Sequence, residues 1–173
     1  MYDRIKIVEV DITTLDVDAI VNAANTELLP GGGVCSAIHR AAGPALSAAC
    51  RKVGRCPTGE ARITPGFALK ARNVIHAVGP IWQGGSRGEV ALLAAAYRSS
   101  LTLARDHGLS TIAFPAISTG IYGFPAERAA EIAVSAVCGF LAAEARPERV
   151  VLCCFGSGSA ELLRRALKRC EEK

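Results

Sequence analysis

Residues 19–40 read "AIVNAANTELLPGGGVCSAIHR". An apolar run of strand length, residues 19–24, passes through a polar turn and three glycines, Gly31 to Gly33. It then enters a segment in which Val34, Ile38, Ala41, Ala42 and Ala45 recur at helical spacing. Strand, glycine turn and helix in that order are the unit from which α/β sheets are built. Glycines at such a turn free backbone N–H groups to face a ligand, and the helix N-terminus that follows favours an anion. Cys35 stands at the joint and His39 one turn further on.

The same alternation runs along the rest of the chain. Apolar runs at 5–10, 73–78, 111–117 and 149–155 read as strands, with a shorter one in "EARITPG" (60–66). Helical patterns follow at about 34–50, 89–107, 125–145 and 158–171. The expectation is an α/β sandwich on a largely parallel sheet whose strands are mostly buried on both faces. Ligands of such sheets bind outside the carboxyl ends of the strands. A second strand-to-helix loop, "ISTGIYGFPAERAAEIA" (117–133), is therefore the natural partner of the first. Pro125 suits a first helical turn, where a missing N–H costs nothing. Two such loops on one sheet edge would clamp a pyrophosphate from both sides.

Several familiar classes are excluded. The glycines lack the G-x-G-x-x-G spacing, no GK[ST] is present, and no carboxylate cluster for Mg²⁺ accompanies them. The phosphates would be held, not transferred. The chain of 173 residues fits a single domain, 1–173, with an aliphatic core, since half its residues are hydrophobic and only 5% aromatic. Its net charge of +4 is dispersed, apart from "LLRRALKRCEEK" (162–173), which reads as a solvated helical face, so no nucleic-acid partner is expected. No apolar run is long enough to span a membrane, and charges occupy the N-terminus where a signal peptide would be apolar. Seven cysteines, none in a C-x-x-C pair, read as free thiols in a reducing, cytoplasmic setting, with neither metal nor cofactor expected.

The segments "VDIT" (10–13), "IVNAAN" (20–25), "GGGVCSAIHRAAG" (31–43), "CPTGEARIT" (56–64), "VIHAVGP" (74–80) and "ISTGIYGFP" (117–125) resemble the macrodomain family, and within it the MacroD-type ADP-ribose hydrolases. The likeness covers nearly the whole chain, in order. It implies a three-layer α/β/α fold, a mixed, largely parallel sheet of about six strands, and ADP-ribose in a cleft. By that resemblance Asp11 accepts from the adenine amine, with Ile12 beside it, and Phe155 packs on the base. Gly32, Gly33 and Val34 with Ser118, Thr119, Gly120, Ile121 and Tyr122 wrap the phosphates. Asn25 meets a ribose hydroxyl, and Tyr122 and Phe124 wall the distal ribose. Plainer roles stand beside these: a turn-forming Asp11 next to Thr13, a core Phe155, and a helix-surface His39. Asn22 is expected to satisfy buried backbone, His76 to be structural, and His107 to decorate a helix end.

In the MacroD-type branch the residue after "GGGV" is typically Asp, near the attacking water; here it is Cys35. The implied catalytic set is Asn25, Cys35 and His39, and the implied substrates are O-acetyl-ADP-ribose and ADP-ribosyl esters of acidic side chains, free or protein-linked. Three readings stay open at this stage: a hydrolase weakened by loss of the acid, a non-catalytic ADP-ribose reader, and a hydrolase that uses the thiolate. A nucleic-acid-binding module would instead show steep salt dependence and no preference for ADP-ribose.

Overall fold

The computed structural model describes residues 1–173. Six strands form one sheet: β1 Ile5–Val8, β2 Ala19–Ala23, β3 Ala61–Pro65, β4 Asn73–Ala77, β5 Thr111–Phe114 and β6 Arg149–Cys153. Their order is β1-β6-β5-β2-β4-β3, parallel throughout except for β3, which runs antiparallel to β4. Five α-helices cover it: α1 Gly33–Ala42, α2 Pro44–Val53, α3 Glu89–Asp106, α4 Ala126–Ala143 and α5 Ser157–Glu171. Short 3-10 turns precede β1 and follow it at Ile12–Thr14. No helix is long and apolar enough to cross a membrane.

Side-chain alternation explains the three layers. Val21, Ile75, Ile112, Phe114, Val150 and Leu152 pack on α3, α4 and α5, whereas their neighbours Ile20, Val74, Ala113, Val151 and Cys153 pack on α1 and α2. Strands with apolar residues on both faces need helices on both faces, as a parallel sheet requires. At the amino ends Asp18 ties the sheet together: its carboxylate accepts from Ser110 N and Thr111 N at 2.8 and 3.1 Å, and pairs with Arg72.

Three expectations are corrected. The helix expected over 34–50 is two helices, because Pro44 cannot donate to a continuing helix and disfavours helical backbone at the residue before it. Gly43 takes φ 85° there, and Pro44 opens α2. Pro125 is not in the first turn of α4 but caps it, in extended backbone with ψ 124°. Strands also end earlier than their apolar runs, since Pro115 follows β5 and Cys154 and Phe155 follow β6. The tail of each run peels away at the carboxyl edge of the sheet.

That edge is where a crevice opens. The ladder between β2 and β5 holds only Ala19 opposite Ile112 and Ile20 opposite Ala113. Beyond them the strands part, and β2 leads to α1 on one face while β5 leads to α4 on the other. Two neighbouring strands whose helices leave to opposite faces leave a gap between their exit loops.

Candidate functional site

A cleft of about 500 Å³ occupies this gap. One wall is the loop from Ala23 to the start of α1, the other the loop from Pro115 to Tyr122, and the ends are closed by Val10, Ile12 and the residues after β6. Of the residues singled out from sequence, Ile12, Asn25, Gly32, Gly33, Val34, Cys35, Phe155 and the whole run Ser118–Tyr122 line it. The two loops nearly meet: a methyl group built on Gly32 would stand 3.1 Å from Ile121 Cδ1.

The polar lining is mostly backbone. None of the N–H groups of Ser118 through Tyr122 donates to a protein acceptor, although the loop is held by Phe124 N to Ser118 O at 2.9 Å and Gly123 N to Gly120 O at 3.0 Å. Across the cleft, α1 begins at Gly33 with Gly32 as its cap residue and no side chain capping it. First-turn N–H groups without a cap are open to an anion. Ser118 holds φ 68°, strained for a residue with a side chain, and its buried hydroxyl has no partner. Such an unpaired donor costs free energy that the rest of the fold must offset.

The Pro115–Tyr122 loop is propped from behind. A methyl on Gly79 would lie 2.2 Å from Ser118 Oγ and 2.5 Å from Ile117 Cγ2, so only glycine leaves room for these side chains to seat there. Trp82 N donates to Tyr122 O at 2.8 Å, and its ring packs on Phe124 with centroids 4.7 Å apart and Arg128 over its face. The segment before α3 is caged on Glu89, whose carboxylate accepts from the N–H groups of Gln83, Gly85 and Arg87. Burial would raise the pKa of Glu89, but these bonds outweigh it and hold it at about 2.

Other expected residues sit differently. Asp11 is exposed at the rim between Val10 and Ile12, and one of its oxygens is taken by Thr13 N at 3.0 Å and Thr13 Oγ1 at 2.8 Å. Phe155 is no core residue; it is 71% exposed at the cleft mouth. Phe124 is the reverse, 2% exposed in the core beside Trp82, and does not line the cleft. The Asn25 amide bonds both backbone groups of Leu29, Nδ2 to its O at 2.8 Å and Oδ1 from its N at 3.1 Å, which folds the loop over the cleft floor. One N–H and one lone pair of that amide remain for a ligand. His39 turns away: it is buried with Nδ1 3.2 Å from Ser47 Oγ, and burial lowers its pKa. His107 closes α3, with Nδ1 2.9 Å from Leu103 O.

Asn22 does not serve backbone. Its Nδ2 lies 3.6 Å from Cys35 Sγ and 3.2 Å from His76 Nδ1. His76 is fully buried, and burial followed by the nearby His39 lowers its pKa to about 4. Sequence reasoning also passed over Gly79, Cys153, Cys154 and Ser159, which line the cleft. The quoted "VIHAVGP" contained the signal for Gly79; nothing in the sequence marked Ser159 beyond its unusual "GSGS" surroundings. All seven cysteines are free. Burial, then Cys154 and Asp11, push Cys153 up to about 12.

A family model for the Macro domain matches residues 21–133. A Macro domain-containing protein of Methanosarcina mazei is 59% identical over 167 residues, 96% of this chain and 89% of its own. An O-acetyl-ADP-ribose deacetylase of Salmonella gallinarum is 52% identical over 171 residues, 96% of each chain. Among solved structures, a glycine-to-valine variant of the Oceanobacillus iheyensis macrodomain with ADPR superposes with a TM-score of 0.92 at 42% identity, covering 96% of this chain and 93% of that one.

Proposed function

The chain belongs to the macro domain family, and from that premise we propose that it binds ADP-ribose in the cleft between β2 and β5 and hydrolyses ADP-ribosyl esters slowly. The observation that carries this reading is the facing pair of anion-ready backbones: the undonated N–H groups of Ser118–Tyr122 and the uncapped start of α1. A pyrophosphate between them satisfies both without a metal. The free Asp11 oxygen then takes the adenine amine and the exposed Phe155 ring covers the base, a contact worth roughly 1–3 kcal/mol. Asn25 and Cys35 stand by the distal ribose, where an acyl ester would sit.

In this reading hydrolysis rests on orientation. A water held at the phosphates is set against the ester carbonyl, which lowers the barrier without a strong base. A thiol at position 35 is a poor substitute for a carboxylate general base, whose loss typically costs ~10²–10⁴-fold. That same residue favours a second reading, a non-catalytic ADP-ribose reader. The substrates are O-acetyl-ADP-ribose and mono-ADP-ribosyl esters of Asp or Glu, and the free thiols suit a cytoplasmic setting. Calorimetry with ADP-ribose, together with a time course on mono-ADP-ribosylated glutamate, tests both readings on one preparation. Binding with slow hydrolysis supports the hydrolase, and binding with no hydrolysis supports the reader. Absence of binding overturns both.

A further inference from the structure

Behind the cleft, four buried polar side chains from four different elements form a line: Thr64 of β3, His76 of β4, Asn22 of β2 and Cys35 of α1. None is more than 4% exposed. Thr64 Oγ1 is 2.9 Å from His76 Nε2, His76 Nδ1 is 3.2 Å from Asn22 Nδ2, and Asn22 Nδ2 is 3.6 Å from Cys35 Sγ. Only Cys35 of the four lines the cleft.

The line has a direction. With its pKa near 4, His76 is neutral, so one ring nitrogen donates and the other accepts. The Asn22 nitrogen only donates, so Nδ1 accepts and Nε2–H donates to Thr64, the nearer of its two partners, with Cys50 Sγ at 3.7 Å the other. The Thr64 hydroxyl passes on to Pro65 O at 3.2 Å. The second N–H of Asn22 is then aimed at Cys35 sulfur. Turning the amide over would need the other imidazole tautomer and would put both amide N–H groups where Asn22 Oδ1 now lies buried without a partner. One orphaned acceptor costs less than two orphaned donors. The line therefore runs one way and ends on the side chain at position 35.

We propose that Asn22, oriented by His76 and Thr64, is a positioning residue that presents a fixed N–H donor to position 35, making that position a slot for a hydrogen-bond acceptor. A thiol fills the slot weakly, and an oxygen anion fills it better. The proposal rests on the ester-hydrolase reading only for its kinetic consequence, and two of its readouts need no turnover. An amide in the line blocks proton relay, so its effect on chemistry is orientation.

The test uses the full chain, with Asn22→Leu and, in case that buried change prevents folding, the near-isosteric Thr64→Val on the edge strand. Nitrogen-15 NMR of wild type should show His76 with its proton on Nε2. In Thr64→Val the Nε2 proton loses its hydroxyl acceptor and keeps only Cys50 Sγ at 3.7 Å, so the His76 ring resonances should shift. With the ring held less firmly, iodoacetamide alkylation of Cys35, followed by peptide mapping, should slow three- to tenfold at pH 7.5. In single-turnover ester hydrolysis, the gain from Cys35→Asp should shrink to less than threefold in either background. A wild-type proton on Nδ1, or an unchanged His76 spectrum and Cys35 reactivity in Thr64→Val, overturns the proposal. If the spectra and alkylation behave as stated while Cys35→Asp hydrolyses nothing, the positioning role stands and the hydrolase reading falls.

Discussion

Asn22 Nδ2 lies 3.6 Å from Cys35 Sγ, so the thiol at the start of α1 is tied to the central strand of the sheet. On its other side the sulfur lies 3.8 Å from Leu29 O. Here it is held against the cleft, beside Asn25 and Gly31–Gly33.

Free ADP-ribose should bind at micromolar or better, about −8 kcal/mol, and EDTA should leave this unchanged. Gly120 is exposed with nothing within 4 Å of a built methyl, so Gly120→Glu has room to fold. Its carboxylate would stand where the pyrophosphate lies. Binding should vanish in calorimetry while stability stays within about 0.5 kcal/mol. Retained affinity would move the phosphate site elsewhere.

In the proposed site Asp11 has two jobs that substitution separates, holding Thr13 and accepting from the adenine amine. Asp11→Ala loses the bonds to Thr13 as well as the adenine contact, so it should cost about 1 kcal/mol of stability and roughly 1.5–3 kcal/mol of ADP-ribose affinity. Asp11→Asn keeps an oxygen for Thr13 and should recover stability more fully than affinity. Equal recovery of both would reduce Asp11 to a turn residue.

The Glu89 cage predicts a long-range effect on binding. Glu89→Gln replaces an anion that accepts three N–H bonds with a group that accepts them poorly. The melting temperature should fall by roughly 3–8 °C, and ADP-ribose should bind several-fold more weakly, because Trp82 no longer steadies Tyr122 and Phe124. The pKa of Glu89 is depressed, so its contribution is present above about pH 4.5 and is lost as pH falls toward 2.

His76 makes stability depend on pH in a different window. Its pKa drops from 6.5 to about 4 on folding, so between those values the unfolded chain binds more protons. Its share of stability is full above pH 6.5 and declines as pH falls to 4, by about 3 kcal/mol. Urea titrations from pH 7 to 4 should show this slope in wild type and its loss in His76→Gln. Parallel slopes in the two proteins would refute it.

Much of this architecture is legible in the sequence because the strands are apolar on both faces and the glycine loops sit at their ends. The paired "GGGVCSAIHR" and "ISTGIYGFP" segments locate the cleft for the same reason. What stays hidden is set by tertiary partners. Asn22 and His76 lie 54 residues apart, and only the pairing of β2 with β4 makes them neighbours. His39 sits at helical spacing from Cys35, but α2 folds back to offer Ser47, and the ring turns there. That α2 exists at all depends on the break at Gly43–Pro44, which the continuous alanine-rich pattern masks.

The central claim is that Cys35 permits ligand binding while supplying little catalysis, and single-turnover ester hydrolysis by wild type, Cys35→Ala and Cys35→Asp from pH 6 to 9 tests it most directly. The account predicts a Cys35→Ala rate within a few-fold of wild type. Cys35→Asp should be at least tenfold faster, about 1.4 kcal/mol of barrier, and should bind ADP-ribose equally or slightly more weakly, since a carboxylate near the pyrophosphate repels it. A wild-type rate that climbs with thiol ionisation and collapses in Cys35→Ala would contradict the account and make the thiolate the working group.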